Sequence, residues 1–214
     1  GFVHLHLHTE YSLLDGASRI RDIANKAISL GQTAVAITDH GVMYGAVEFY
    51  DELKKNGVKP IIGCEVYVAP RTRFNKEGKA DSSGNHLILL CKNETGYRNL
   101  CYMVSESFIN GFYMRPRIDM ELLASHSEGL IALSGCVAGK IPQLILAGSI
   151  AEAEKYAEQM RDIFGEDFYL EIQNHGIDEE KKVAYGIRLI SKKLGRIVVA
   201  HFVYRAVGSI CIAK

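Results

Sequence analysis

The sequence lacks several features that would assign a protein class at once. Its 214 residues include no tryptophan and only four prolines, and its five cysteines are scattered without a Cys-x-x-Cys pair. An odd number of scattered cysteines is typical of reduced thiols in a cytoplasmic protein rather than of a secreted disulfide scaffold. No apolar run approaches the roughly 20 residues of a membrane helix, and the start has no signal-peptide pattern, so we expect no membrane partner.

The chain also lacks an excess of charge of either sign, with 25 Lys and Arg against 25 Asp and Glu. A protein that binds nucleic-acid duplex usually carries a strong basic excess, because phosphate neutralisation dominates its affinity. We therefore expect any contact with nucleic acid to be local, or to depend on other parts of a larger protein. The chain begins with Gly1 rather than Met, which predicts one or two further residues upstream.

Short β-branched runs alternate with longer amphipathic patterns along the whole chain. Strands are predicted at 2–8, 33–40, 59–69, 86–92, 129–135, 167–173 and 196–200. Helices are predicted at 18–30, 45–56, 95–109, 138–147, 149–164 and 178–194, and a polar surface loop at 70–85. Alternating strands and helices predict an α/β fold with a parallel sheet, and we expect a barrel-like single domain.

Most of the chemically reactive side chains fall in or beside the predicted strands. His6 and His8 share one face of the first strand at about 6.5–7 Å separation, which suits two ligands of one metal or of neighbouring metals. The pattern continues at Asp15, Asp39, His40, Glu65, His86, Cys136, His175 and His201. Barrel enzymes build their sites at the carboxyl ends of strands, so these residues predict one site.

The residue types indicate metal chemistry. Imidazole, carboxylate and thiolate ligands together suit Zn, Fe or Mn better than Mg or Ca. Clustered divalent ions form a hydroxide at neutral pH and stabilise both oxygens of a phosphoryl displacement, so the predicted reaction class is metal-assisted hydrolysis of a phosphate ester. The sequence has no phosphate-binding Gly-Lys loop, G-x-G-x-x-G, G-x-S-x-G or H-E-x-x-H motif, so nothing indicates a nucleotide cofactor.

Several candidates also have a plain structural interpretation. His4 lies deeper in the first strand and His126 lies beside a helix end, and both are interpreted as structural. His175 fits a turn residue as well as a site residue, and Cys136 fits a small buried residue as well as a ligand. The other cysteines (64, 91, 101 and 211) are interpreted as packing residues. Arg71, Arg73, Lys76 and Lys79 are interpreted as a solvated loop.

Seven segments, taken together, resemble a known family. They are FVHLHLHTEYSLLDGASRI, AITDHGVMYGAVEFY, KPIIGCEVYVAP, NHLILLCKNETGYRNL, GFYMRPRID, GLIALSGCVAGKIP and FYLEIQNHG. The set is similar to the PHP (polymerase and histidinol phosphatase) domain, in the form found at the N-terminus of the alpha subunits of bacterial DNA polymerase III. The resemblance covers about residues 2–200. It implies a distorted (β/α)7 barrel that holds two or three divalent ions (Zn, Mn or Fe) at the carboxyl ends of its strands.

The resemblance also implies a role for each matching residue. The implied metal ligands are His6, His8, Asp15, His40, Glu65, His86, Cys136 and His201. Glu65 is implied to bridge two ions, and Asp15 and His40 to hold a third with His201. Glu65, Asp15 and His40 are the implied catalytic residues. The family has Asn-Asp ahead of its last histidine, whereas this chain reads VVAHF. If this reflects a deletion, one metal loses its carboxylate.

Three functions follow from the resemblance. The first is a 3′–5′ exonuclease that acts on the DNA primer 3′ end, with the remainder of the polymerase III alpha subunit and other replisome subunits as partners. Residues 1–214 are then one PHP domain, a fragment too short for polymerase palm, fingers and thumb. The second is a catalytically silent scaffold for the polymerase core. The third is a stand-alone phosphomonoesterase such as histidinol phosphatase, against which NETGYRNL and GFYMRPRID argue.

Overall fold

The structure, a computed structural model, describes residues 2–13 and 15–195 and the backbone of residues 198–202. Its strands are β1 (Ala34–Ile37), β2 (Lys59–Val68), β3 (Asn85–Cys91), β4 (Arg117–Ile118), β5 (Leu130–Leu133), β6 (Phe168–Asn174) and β7 (Val198–Phe202). Its helices are α1 (Ile20–Ser29), α2 (Ala46–Lys55), α3 (Gly78–Ser82), α4 (Glu94–Ile109), α5 (Met120–Ser125), α6 (Lys140–Leu146), α7 (Ile150–Phe164) and α8 (Asp178–Leu194). No helix within these ranges combines the length and hydropathy that a bilayer span requires.

The strands form one curled sheet in the order β1-β2-β3-β5-β6-β7, with β4 paired to the end of β2. The predicted α/β class and barrel-like single domain are therefore confirmed. The predicted parallel direction is wrong at β3, which is antiparallel to both β2 and β5. The connection from β2 to β3 contains only the five-residue helix α3. A parallel pair is usually joined by a full crossover helix, which this connection lacks, and the chain turns back instead.

The N-terminal segment 2–8 does not form the regular strand that its alternation predicts. It runs beside β1, but its only ladder pairing is an isolated bridge between His4 and Val35. The carbonyl of Leu7 accepts from the N–H of Thr38 at 2.9 Å, whereas the N–H of Leu7 donates to the Thr38 hydroxyl at 2.8 Å. A side-chain hydroxyl thus replaces a backbone partner and interrupts the ladder.

The two faces of the sheet have different neighbours. On the outer face, residues such as Val66 and Leu89 pack beneath the helices in the largest buried cluster. One end of the inner face holds a smaller apolar cluster of Ala36, Ile88, Leu90 and Leu133. The register then places His86 opposite Tyr67, so the inner face changes from apolar to polar along β2 and β3. This polar end of the inner face carries the candidate site.

The polar segment 70–85 is tied to the fold by a buried ion pair. The Arg73 side chain is only 12% exposed, and its Nη1 lies 2.9 Å from Oδ1 of the buried Asp119. The interpretation of Arg73 as a solvated residue is therefore wrong, because a carboxylate buried at the start of α5 needs a cation beside it. Lys76 and Lys79 are exposed, as predicted.

Candidate metal centre

Glu65 lies at the centre of the polar end of the sheet and is fully buried. Its Oε1 lies 2.7 Å from Nδ1 of His86 and 3.6 Å from Nε2 of His6. Its Oε2 lies 2.7 Å from Nδ1 of His40 and 3.2 Å from Nε2 of His8. One carboxylate on β2 thus faces four imidazoles, which come from the N-terminal segment, the end of β1 and the start of β3.

One of the close contacts in the cluster is not a hydrogen bond. Glu65 Oε2 and His40 Nδ1 lie 2.7 Å apart, yet neither has a hydrogen-bond partner among the described residues. The donor atoms of His6, His8 and Glu65 lie within 4.8 Å of one another, and so do those of His40, Glu65 and His86. Ligand atoms that converge in this way, with imidazole and carboxylate donors, fit a divalent ion.

Burial and neighbouring charges set the protonation of the cluster. Burial raises the pKa of Glu65, but the charge of His6 and the contacts of the imidazoles outweigh it and hold the pKa well below its usual range. Burial lowers the pKa of His6, but Glu171 and Glu65 outweigh it and raise the pKa to about 10. Burial also lowers the pKa of His8, to about 3. An ionised, buried Glu65 therefore requires a positive charge beside it, which a proton on His6 or a metal ion supplies.

Asp15 joins the cluster through His40, because its Oδ2 lies 2.7 Å from Nε2 of that ring. The segment that carries Asp15 folds back tightly, since a Cβ on Gly16 would lie 1.8 Å from the carbonyl oxygen of Thr9. The buried Asp39 at the end of β1 holds this turn. It accepts from the N–H of Thr9 at 2.6 Å and from its hydroxyl at 2.8 Å.

His86 reaches the cluster because β3 is antiparallel. It lies near the start of its strand, whereas His40 and Cys136 follow strands and Glu65 lies within one. Since β3 runs in the opposite direction, its first residues lie at the edge where β1 ends. Cys136, which follows β5, places its Sγ 3.5 Å from Nδ1 of His86 and 3.7 Å from Oε1 of Glu65. Burial, and then the charge of Glu65, raises the pKa of this thiol well above its usual range.

Three other histidines lie outside the cluster. His4 forms the isolated bridge to β1, and His126 stacks on Tyr102 with ring centroids 4.6 Å apart. His175 pairs with the buried Glu180 of α8. The structure therefore favours a structural role for His175, which the sequence left open. The side chain of His201 lies outside the described residues, so its implied role stays a prediction.

The sequence pattern does not single out Glu171, although it lies beside the cluster. Glu171 is 1% exposed on β6, and its Oε1 accepts a hydrogen bond from Nδ1 of His6 at 2.8 Å. Gln173 donates to the same oxygen at 2.7 Å. A carboxylate on Nδ1 fixes the tautomer, so Nε2 of His6 faces Glu65. The available signal in the sequence was a charged residue within the mostly apolar run FYLEI at 168–172.

Similar proteins are found by sequence along nearly the whole chain. The model of the PHP domain family matches residues 4–175. The DNA polymerase III alpha subunits of Treponema pallidum, Borreliella burgdorferi and Thermus aquaticus are 51%, 47% and 48% identical over 208, 211 and 203 residues. These matches cover 96%, 95% and 93% of the chain but 18%, 18% and 17% of the relatives. The chain thus spans less than a fifth of their length.

Two solved structures share the fold at low identity. One is a protein from Bifidobacterium adolescentis assigned as a metal-dependent phosphoesterase, with a TM-score of 0.54, 14% identity and coverage of 92% of this chain and 85% of that one. The other is an amidohydrolase from Chromobacterium violaceum with bound sulfate and no metal, with a TM-score of 0.57, 14% identity and coverage of 97% and 90%. These likenesses establish the fold.

Proposed function

Because this chain belongs to the PHP domain family, we propose that it is the PHP domain of a bacterial DNA polymerase III alpha subunit and removes nucleotides from DNA 3′ ends by metal-dependent hydrolysis. The observation that carries the proposal is the convergence of four imidazoles on the buried Glu65, with donor atoms within 4.8 Å in two groups. Identity of 51% and 47% to polymerase subunits favours a DNA strand over a small phosphomonoester as the substrate.

The residues divide into two groups that share Glu65. His6 and His8 would hold one ion with Glu65, and His40 and His86 would hold another with the same carboxylate. Such ions, when bound, lower the pKa of water and stabilise negative charge on phosphate oxygens. The protein keeps the ligand atoms in place, and the sheet closes one side of the site. Zn, Mn and Fe all suit this ligand set.

Asp15 and His40 lie at the open side of the cluster. Their side chains are 34% and 19% exposed, against 1% for Glu65 and 6% for His8. A phosphate therefore reaches the cluster from the side of Asp15 and His40. These two residues would orient the substrate there.

The test of this function compares two substrates with the metal-loaded chain. We expect stepwise release of mononucleotides from a 3′-labelled single-stranded oligonucleotide, inhibition by a chelator, and little hydrolysis of a chromogenic phosphomonoester. The reverse preference would identify a phosphomonoesterase. The variant Glu65→Gln, purified in the same way, controls for contaminating nucleases. Hydrolysis that survives complete chelation would contradict the proposal.

A second candidate function is a scaffold for the polymerase core. It is favoured by the way the cluster joins distant parts of the sheet, because His6 of the N-terminal segment meets Glu171 of β6 and Glu65 of β2. An ion bound there stabilises the folded state by mass action, whether or not catalysis occurs. A fully loaded chain whose thermal midpoint falls on chelation, but which cleaves neither substrate, would support the scaffold.

Replacing Glu171 by glutamine is expected to weaken metal binding by about 10- to 100-fold, because the amide no longer holds Nδ1 of His6 with a charged acceptor. Competition with a chelating dye measures this affinity. The matched control is Glu180→Gln, which also neutralises a buried carboxylate paired with a histidine but lies outside the cluster. Equal metal affinity in both variants would exclude a positioning role for Glu171.

Replacing Cys136 by serine is expected to cost less activity than the loss of Glu65 and to shift the preference from Zn toward Mn. A hydroxyl is a harder ligand than a thiolate, and the thiolate is the ligand that favours Zn. Elemental analysis after exposure to equal concentrations of the two metals measures the ratio. Cys91→Ser is the control, since Cys91 ends β3, at the opposite end of that strand from His86. An unchanged ratio would place Cys136 outside the ligand set.

A further inference from the structure

Arg115 lies at the edge of the metal centre on the loop between α4 and β4. Its guanidinium carbon lies 4.9 Å from the centroid of the Tyr67 ring, and its Nη1 lies 3.4 Å from Nε2 of His86. Tyr67 in turn lies beside the rings of His40 and His86, at 6.1 and 5.1 Å between centroids. The exposed cation is thus directed toward the cluster by contact with the inner face of β2.

The loop holds Arg115 in a defined position. The preceding residue, Met114, has a φ of 60°, a conformation that is strained for a residue other than glycine. The N–H of Tyr113 donates to the carbonyl of Arg115 at 3.0 Å and closes this turn. On the other side, Pro116 packs so closely on Gly41 that a Cβ there would lie 2.8 Å from Pro116 Cγ. Strain of this kind persists where the surrounding structure imposes it, and it is concentrated at functional sites.

The charge of Arg115 has no carboxylate partner within 4 Å in the part of the chain that the structure describes. The neighbouring Arg73 and Arg117, by comparison, pair with a buried carboxylate and with backbone carbonyls. A guanidinium beside a group of metal ions is repelled by them unless an anion lies between. The position of Arg115 is therefore suited to an anionic substrate.

The ring of His86 lies between Arg115 and Glu65. Its Nδ1 faces Glu65 at 2.7 Å, and its Nε2 faces Nη1 of Arg115 at 3.4 Å. The guanidinium therefore lies one imidazole ring away from the carboxylate at the centre of the cluster, within reach of a phosphate oxygen that binds beside His86.

We propose that Arg115 is a substrate-binding residue that contacts a phosphate oxygen of the DNA strand beside His86. The planar guanidinium matches the geometry of phosphate and donates two parallel hydrogen bonds, which an ammonium group does not. This inference deepens the proposed function, on which it rests for the identity of the substrate.

The experiment compares Arg115→Ala and Arg115→Lys with the unaltered metal-loaded chain. We expect the alanine variant to raise KM for the oligonucleotide by about 10- to 100-fold, the effect of a lost charge-assisted hydrogen bond, with a smaller change in kcat. Lysine should restore part of this loss. The control Arg98→Ala removes the same charge from an exposed pair on α4 and should leave KM unchanged.

A binding measurement separates this inference from the proposed function. Calorimetric titration with deoxyadenosine 5′-monophosphate should show affinity reduced by a similar factor in Arg115→Ala, while metal content and thermal midpoint match those of the unaltered chain. If the chain cleaves no DNA but binds the nucleotide in an Arg115-dependent manner, the proposed exonuclease activity is refuted, whereas the proposed contact between Arg115 and phosphate is supported. If cleavage occurs and Arg115→Ala keeps both KM and nucleotide affinity, the inference about Arg115 is overturned.

Discussion

Replacing Glu65 by glutamine is expected to remove most of the bound metal and to lower phosphodiester hydrolysis by about 10³-fold or more, which corresponds to about 4 kcal/mol of transition-state stabilisation. Glu65 is the ligand that the two groups of donor atoms share, so its neutralisation affects both at once. The amide keeps the volume of the side chain but loses the charge that attracts cations among four imidazoles.

Metal stoichiometry by elemental analysis, together with the oligonucleotide assay, measures this effect. Glu180→Gln serves again as the control, because it changes a carboxylate that is 5% exposed but outside the cluster. Circular dichroism shows whether both variants keep the fold. A folded Glu65→Gln chain that retains its metal and its activity would refute the assignment of the cluster.

Replacing Arg117 by methionine is expected to lower the free energy of unfolding by about 3–5 kcal/mol, because several buried acceptors lose their donor at once. Arg117 is fully buried. Its guanidinium donates to the carbonyls of Gly111 at 3.0 Å, Asp81 at 2.7 Å, Asn75 at 2.9 Å and Arg73 at 3.1 Å. These four bonds tie the segment after β2 to the loop that carries the proposed phosphate contact.

Urea denaturation measures this loss, and the thermal midpoint should fall by roughly 10 °C in a chain of this size. The control Arg98→Ala removes an exposed pair between neighbouring turns of α4 and should change stability little. Equal midpoints for the two variants would show that solvent replaces the contacts of Arg117. The segment 70–85 would then contribute little to the stability of the fold.

Local pattern alone predicted most of the regular elements. The helix predicted at 178–194 is Asp178–Leu194, and the strand predicted at 59–69 is Lys59–Val68. The spacing of apolar residues indicates which side of a helix or strand faces the core. This inference does not depend on which other segments form the core. The two-residue strand β4 was not predicted, because its backbone partners on β2 lie about 50 residues away in sequence.

For the candidate site, too, the sequence identified some of the residues and missed others. Repetition of histidine and carboxylate near strands, and the motifs of the family, selected His6, His8, Asp15, His40, Glu65, His86 and Cys136. The structure brings these side chains together, while their role as ligands remains our proposal. Glu171 and Arg115 were not selected, although they lie in the segments FYLEIQNHG and GFYMRPRID, because the resemblance implied no ligand role for either. Their proximity to His6 and His86 arises from contacts between residues far apart in the chain.

The sequence by itself determined the class of the fold, the family, and the set of side chains available for metal chemistry, because each depends on local periodicity or on an ordered set of motifs. Only the tertiary structure decided how these side chains face one another. The 2–8 segment loses its regular ladder, so Nε2 of His6 lies 3.2 Å from Nε2 of His8 instead of pointing the same way at strand spacing. The reversed β3 then brings His86 to the edge where β1 ends. Strand direction and side-chain partners depend on which segments pair in three dimensions, and the pattern within one segment does not contain that information.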